Sequence, residues 1–261
     1  MGSVVADVFR WGDGELHLLD YCELTDATLT AADSWLVTDG SALALDLHRS
    51  RFLAAAPGGE QFWHAAIAAI PAEGDWFPRV EQHSDGRFLF RQRSVPELRR
   101  SLVLTTHRGA DPRRVPAVKG PDLDAMRRLR TAAQEEGADE AVILSPDGYV
   151  VESSQSALAW WRGSILCTPP AEFARCDSVT ARSLLGLAQA LGVDLLEEAV
   201  TPAELDGTEI WALNALHGPR IVTAWSEPSG AGGPQPAELP GRLTLWRERL
   251  ARLRHPLPVS A

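Results

Sequence analysis

The chain has 261 residues, 45% of them apolar, enough to bury a sizeable core in one large domain or two modest ones. Its 35 acidic residues outnumber 25 basic ones, a formal charge of −10, which argues against nucleic acid as a partner because phosphate backbones are held by surplus Lys and Arg. No run approaches the ~20 apolar residues of a membrane span, the N-terminus has no basic leader, and Cys22, Cys167 and Cys176 form no CxxC pair, so a soluble, reduced, cytoplasmic protein is expected.

In chain order, the first hundred residues read as mixed α and β. Strands are expected at 34–39 and in the alternating run 87–93, and helices at 42–56 and 61–70. The stretch HRGADPRRVP, 107–116, carries a Gly and two prolines that interrupt any period, so it reads as a linker. Residues 122–136 form a strong amphipathic helix pattern ending at Gly137, followed by a strand at 140–144. Pro146, Asp147 and Gly148 signal a turn into a second strand at 149–152, so the pair reads as a hairpin. Short strands follow at 156–161 and 164–167, a helix at 180–191, and strands at 209–213 and 220–225 flanking NALHG. A Gly/Pro-rich loop at 226–241 precedes a last helix at 243–254.

Among the 25 basic residues only Lys119 is a lysine. By itself it reads either as a solvated residue at a domain boundary or as a reactive amine. Glu152 ends a strand, where an exposed carboxylate is the ordinary alternative to a functional one. The histidines show no HxxH or HExxH spacing, and there is no GxSxG elbow, Walker lysine loop or GxGxxG turn. The nine tryptophans read as packing rather than a ligand cage.

The segment GADEAVILSPDGYVVESSQSALAWWRGSILCTPP, 137–170, resembles the middle of the class IV aminotransferase-like family, most nearly its 4-amino-4-deoxychorismate lyases. HRSRF at 48–52, SVTARSLL at 178–185 and NALHG at 214–218 match in the same order, and Lys119 stands about thirty residues before Glu152, as the family pattern has it. The resemblance implies an α/β (α+β) fold of type IV, with a small N-terminal α/β domain at 1–107, a linker at 108–116 and a larger, β-barrel-like domain at 117–261. It places pyridoxal 5′-phosphate (PLP) between the lobes. Lys119 would hold the cofactor and move the substrate proton, and Glu152 would face the pyridine nitrogen. Arg51 would bind the phosphate through its guanidinium fork, with Arg49 as the decoy. Val179 and Thr180 at a helix start, and Ala215 and Leu216 in the facing loop, would add backbone donors to that phosphate. Ser178 or Thr180 reads equally well as an ordinary N-cap.

Arg91, Arg93 and Arg108 are candidate clamps for a substrate carboxylate or plain surface arginines. The expected activity is that of a lyase forming 4-aminobenzoate and pyruvate. A transaminase acting on branched-chain or D-amino acids, or a non-catalytic scaffold, are the alternatives. The substrate would be a small amine or amino acid, no metal is called for, and a homodimer is expected. The chain departs from the family at Ser178, Ala181 and Ala157, where Gly, Arg and Asn are usual. Leu123 and Asp124 lie where many members carry a Tyr.

Overall fold

The computed structural model describes residues 6–19, 27–227 and 233–258, so Cys22 lies outside them. They fall into two compact units. The first is built from described residues within Met1–Leu98, Val118–Pro121 and Ala251–Ala261, the second from Arg99–Ala117 and Asp122–Leu250. The segment 108–116, read from sequence as a linker, groups with the second unit, and so does the strand before it.

The first unit runs β1 (Ala6–Gly12), β2 (Glu15–Leu18), β3 (Leu29–Ser34), β4 (Val37–Thr38), β5 (Ser41–Leu43), α1 (Leu45–Ala55), α2 (Glu60–Ala68), β6 (Asp75–Trp76), β7 (Arg79–His83) and β8 (Phe88–Arg93). Its main sheet has the order β2-β1-β8-β7-β3, with every pair antiparallel. A strand was expected at 34–39, but β3 stops at Ser34 and β4 takes only Val37–Thr38. Strand alternation gives this sheet two unlike faces. Ala31, Val80 and Phe90 enter the core with Trp35, Phe52, Phe62 and Trp63 from around α1 and α2. Ring centroids there lie 4.9 Å apart for Trp35–Trp63 and 5.1 Å for Phe62–Phe88. Each buried Phe contributes roughly 1.5–3 kcal/mol over an exposed one.

The second unit begins with β9 (Ser101–Thr106) and α3 (Leu123–Glu135), then β10 (Glu140–Leu144), β11 (Val150–Ser153), β12 (Ala157–Arg162), β13 (Ile165–Thr168), α4 (Val179–Ala190), β14 (Leu195–Glu197), β15 (Glu209–Asn214), β16 (Gly218–Ser226) and α5 (Arg242–Ala251). The strand β17 (Arg254–Pro256) pairs with β5 in the first unit. Eight strands form one sheet in the order β11-β10-β9-β16-β15-β12-β13-β14. Here the expected helices and strands appear within a few residues of their sequence-derived bounds, and β10 and β11 pair as the antiparallel hairpin. Both faces of β12 are covered, which is why ALAWW shows no polar alternation. Leu158 and Trp160 join Val142, Ile210 and Val222 on one side. On the other, Trp161 meets Trp211 at 5.5 Å and Trp246 of α5 at 5.6 Å.

A buried polar network ties the loops of this sheet together. Arg220 and Glu140 pair at 4% and 2% side-chain exposure. Ser153 donates to Glu140 at 2.6 Å, Arg220 to Ser156 at 2.9 Å, and Asn214 Nδ2 to Ser156 at 3.1 Å. An ion pair in this setting must be satisfied by further hydrogen bonds to offset its desolvation, and the two serines supply them. Asn214 Oδ1 also accepts the His217 N–H at 2.9 Å, closing the β15–β16 turn. The ring of His217 accepts the Arg99 N–H at 3.2 Å.

Two consequences can be measured. Gly120 has φ +150°, and an added Cβ would lie 2.7 Å from Ala31 Cα and 2.9 Å from its nitrogen. Gly120→Ala is therefore expected to cost about 2–3 kcal/mol through strain and overpacking, read as a lower denaturant midpoint. His217 is pushed down to about 4 by burial and by Arg220, Arg130, Arg247 and Arg99. A histidine with a depressed folded value stabilises the fold above its unfolded value near 6.5, and that contribution is lost as pH falls toward 4. The melting temperature of the natural chain should thus fall more steeply between pH 6.5 and 4 than that of His217→Gln; parallel curves would refute this.

Candidate active site

In the first unit the outermost strand β3 organises the candidate residues. The main-chain oxygen of Lys119 accepts the Ala32 N–H at 2.7 Å, so the lysine is fixed by its backbone to β3. Its neighbour Gly120 packs on Ala31, a contact only a residue without a Cβ permits. One residue on, Asp33 is fully buried and points to the opposite side of the strand, toward α1. Arg51 closes a fork on it, Nε to Oδ2 at 2.8 Å and Nη2 to Oδ1 at 2.7 Å. His48, one helical turn earlier, reaches Oδ1 at 2.8 Å, and the Ser34 N–H donates at 2.7 Å. Burial penalises the charge on Asp33, but His48 and Arg51 outweigh it and hold the carboxyl well below the usual carboxylate range. The fork expected for a phosphate is thus spent on Asp33, because a buried carboxylate demands it. Arg51, not Arg49, is the arginine so placed.

The face of the sheet opposite the core carries cations. Register pairs Ser34 with Arg79 and Arg79 with Arg91. Arg79 and Arg91 each reach Glu81 Oε1 at 2.8 Å, and His83 reaches Oε2 at 3.1 Å. Arg93 donates to Ser34 Oγ at 3.1 Å and to Phe77 O at 3.0 Å, with its guanidinium 4.7 Å from the Phe77 ring centroid. It is pushed down to about 10 by burial and by Arg79 and Arg91, against Glu81. Two of the three sequence-derived arginines, Arg91 and Arg93, therefore come together. Arg108 is exposed and belongs to the second unit. Arg79 was missed, although its signal was the polar period Arg79, Glu81, His83, with Arg79 in register with Arg91 of β8.

In the second unit Glu152 lies in β11, 6% exposed and in register with Ile143. Arg113 Nη1 donates to its Oε1. Asp111 forks the same guanidinium at 2.9 Å and 2.7 Å. Burial opposes the charge of Arg113, but Asp111 and Glu152 raise its value overall. The stretch read as a linker is thus an ordered loop. Asp122, just before α3, accepts the N–H groups of Arg114 and Val115 at 2.9 and 2.8 Å. Ser178 caps α4 by accepting the Ala181 N–H at 3.2 Å, so the N-cap reading holds for Ser178. Val179 and Thr180, each 3% exposed, form the first turn behind it. Ala215 and Leu216 lie in the β15–β16 turn. Ala157 is buried in β12 opposite Leu213. Leu123 and Asp124 open α3, with Asp124 in an exposed pair with Arg127.

Comparison with known proteins bears on this arrangement. The family model for amino-transferase class IV matches residues 82–225, more than half of the chain. A curated branched-chain-amino-acid aminotransferase of Pseudomonas aeruginosa is 33% identical over 87 residues, and the match spans only 27% of that protein's length. Among solved structures, the branched-chain aminotransferase of Thermoproteus uzoniensis with norvaline aligns with a TM-score of 0.79 at 17% identity, over 97% of this chain and 100% of that one. The PLP-bound form of a hypothetical aminotransferase from Mycobacterium tuberculosis aligns with 0.75 at 19% identity, over 95% and 98%. At such identities these structures establish a shared fold. It is the two-lobed α/β type expected, and on the strength of the family match the chain belongs to the class IV amino-transferases, a family of PLP-dependent enzymes.

Proposed function

We propose that this chain exchanges an amino group between carboxylate-bearing substrates, with Lys119 holding PLP and shuttling the substrate proton. The observation that carries the reading is the only lysine of the chain, pinned by its backbone to the strand whose next residue fixes Arg51. The donor set suits the cofactor. Glu152 is a buried carboxylate of the kind that pairs with a protonated ring nitrogen. The first-turn N–H groups of Val179 and Thr180, and those of Ala215 and Leu216, are donors of the kind that meets a phosphate. Arg51, held on Asp33, would add its charge. Bound PLP supplies an electron sink for the carbanion formed beside the substrate nitrogen. The Lys119 amine would take the proton from the substrate carbon and return it elsewhere, which is general acid–base work.

Arg79 and Arg91 both reach Glu81, Arg93 feels its charge, and guanidinium groups gathered on one face suit the carboxylate of an acidic substrate. The three relatives named above are described as aminotransferases, which favours amino transfer. A second reading, a lyase turning 4-amino-4-deoxychorismate into 4-aminobenzoate and pyruvate, is supported by the collinear motifs at 137–170 and 214–218. A cytoplasmic homodimer belongs to the same proposal. Among the described residues no helix is long and apolar enough to cross a membrane, and no group of three or more His, Cys, Asp or Glu is placed to hold a metal.

Borohydride reduction of the PLP-treated protein should fix the label on the peptide containing Lys119. Lys119→Ala should lose both label and visible absorbance, with turnover down by about 10²–10⁴-fold or more. Labelling elsewhere, or no uptake of PLP, would sink the proposal. Amino exchange between an amino acid and 2-oxoglutarate supports the transaminase, whereas 4-aminobenzoate formed from chorismate and an aminodeoxychorismate synthase supports the lyase.

A further inference from the structure

We infer that Arg113, set by Asp111, is the positioning residue of Glu152: it holds that carboxylate aimed for a ring nitrogen. The inference rests on the reading of Glu152 as the partner of the cofactor ring. Several observations meet here. Arg113 is 4% exposed in its side chain and Glu152 9%, so the pair is shielded from solvent and barely screened. Asp111 grips the guanidinium from the other side, through both Nε and Nη2, and its carboxylate also accepts the Arg113 N–H at 2.9 Å. The loop is held from behind by Asp122, which takes the next two backbone N–H groups. Four residues of one loop and one helix start are therefore spent on placing a single cation against Oε1 of Glu152. Arg175 lies close enough for the charge of Glu152 to act on it, while its own donors go to the carbonyls of Pro169, Pro170 and Phe173. Arg113 is thus a cation bonded directly to the carboxylate and held there before any ligand arrives, which lowers the cost of binding one.

The test compares the affinity of the full-length protein for PLP with that for 1-deaza-PLP, which has carbon in place of the ring nitrogen, by fluorescence titration with folding checked by circular dichroism. The natural chain should prefer PLP. Arg113→Gln should weaken PLP by about tenfold or more while leaving the deaza analogue nearly unchanged, and Arg113→Lys should recover part of the preference. If Arg113→Gln fails to fold, Asp111→Asn, at a partly exposed position, should narrow the preference in the same direction. A folded variant that weakens both ligands equally, or neither, overturns the role of Arg113 alone. Should the natural chain not distinguish the two ligands, the assignment of Glu152 falls and takes this inference with it.

Discussion

A carboxylate buried without solvent is tolerable only if cations come to it, and in the first unit that demand falls on Asp33. The strand β3 cannot place Asp33 in the interior unless α1 presents His48 and Arg51 one turn apart on the same face. This fixes the orientation of α1, and with it Phe52 and the aromatic cluster behind. The neighbouring backbone amide at Ala32 then takes Lys119. A single costly charge thus dictates where a helix, a loop and the lone lysine sit.

The second unit applies the same logic twice. Glu140 with Arg220 locks the turns that carry Ser156 and Asn214, and Glu152 with Arg113 and Asp111 orders a loop that lacks regular structure. Buried acids are satisfied by arginine in all three cases. Arginine suits the task because its planar fork reaches two acceptors at once and is charged at any physiological pH. A chain with one lysine among its cations is built around that property.

Much of this was legible in the sequence, and the limits follow from physics. Helices α3 and α4 and strands β10 to β13 were readable because their apolar periods are long or are punctuated by Gly and Pro. Strands β1, β2, β7 and β9 were not assigned. RVEQH in β7, for example, has polar residues on one face that pair with one another and with Arg91 of β8 rather than with solvent, so its alternation does not announce burial. Lys119 and Glu152 stood out through uniqueness and spacing. Arg113 and Asp33 did not, since the partner of a buried charge is chosen by tertiary approach: 39 residues separate Arg113 from Glu152, and 18 separate Arg51 from Asp33. Prolines made the stretch around Arg113 look like a connector, whereas side-chain acceptors at Asp111 and Asp122 give it a fixed shape. Backbone donors such as those of Ala215 and Leu216 leave no trace in side-chain identity at all.

The hydrogen bond between Lys119 and Ala32 has a further effect. β3 ends its sheet, and the outer rim of such a strand offers main-chain groups to any passing chain, a route to sticky, self-templating assembly. Residues 118–121 lie along that rim and take one of its amides. The peptide that bears the lone lysine therefore also serves as a guard strip, and sequence change there is constrained by colloidal behaviour as well as by packing.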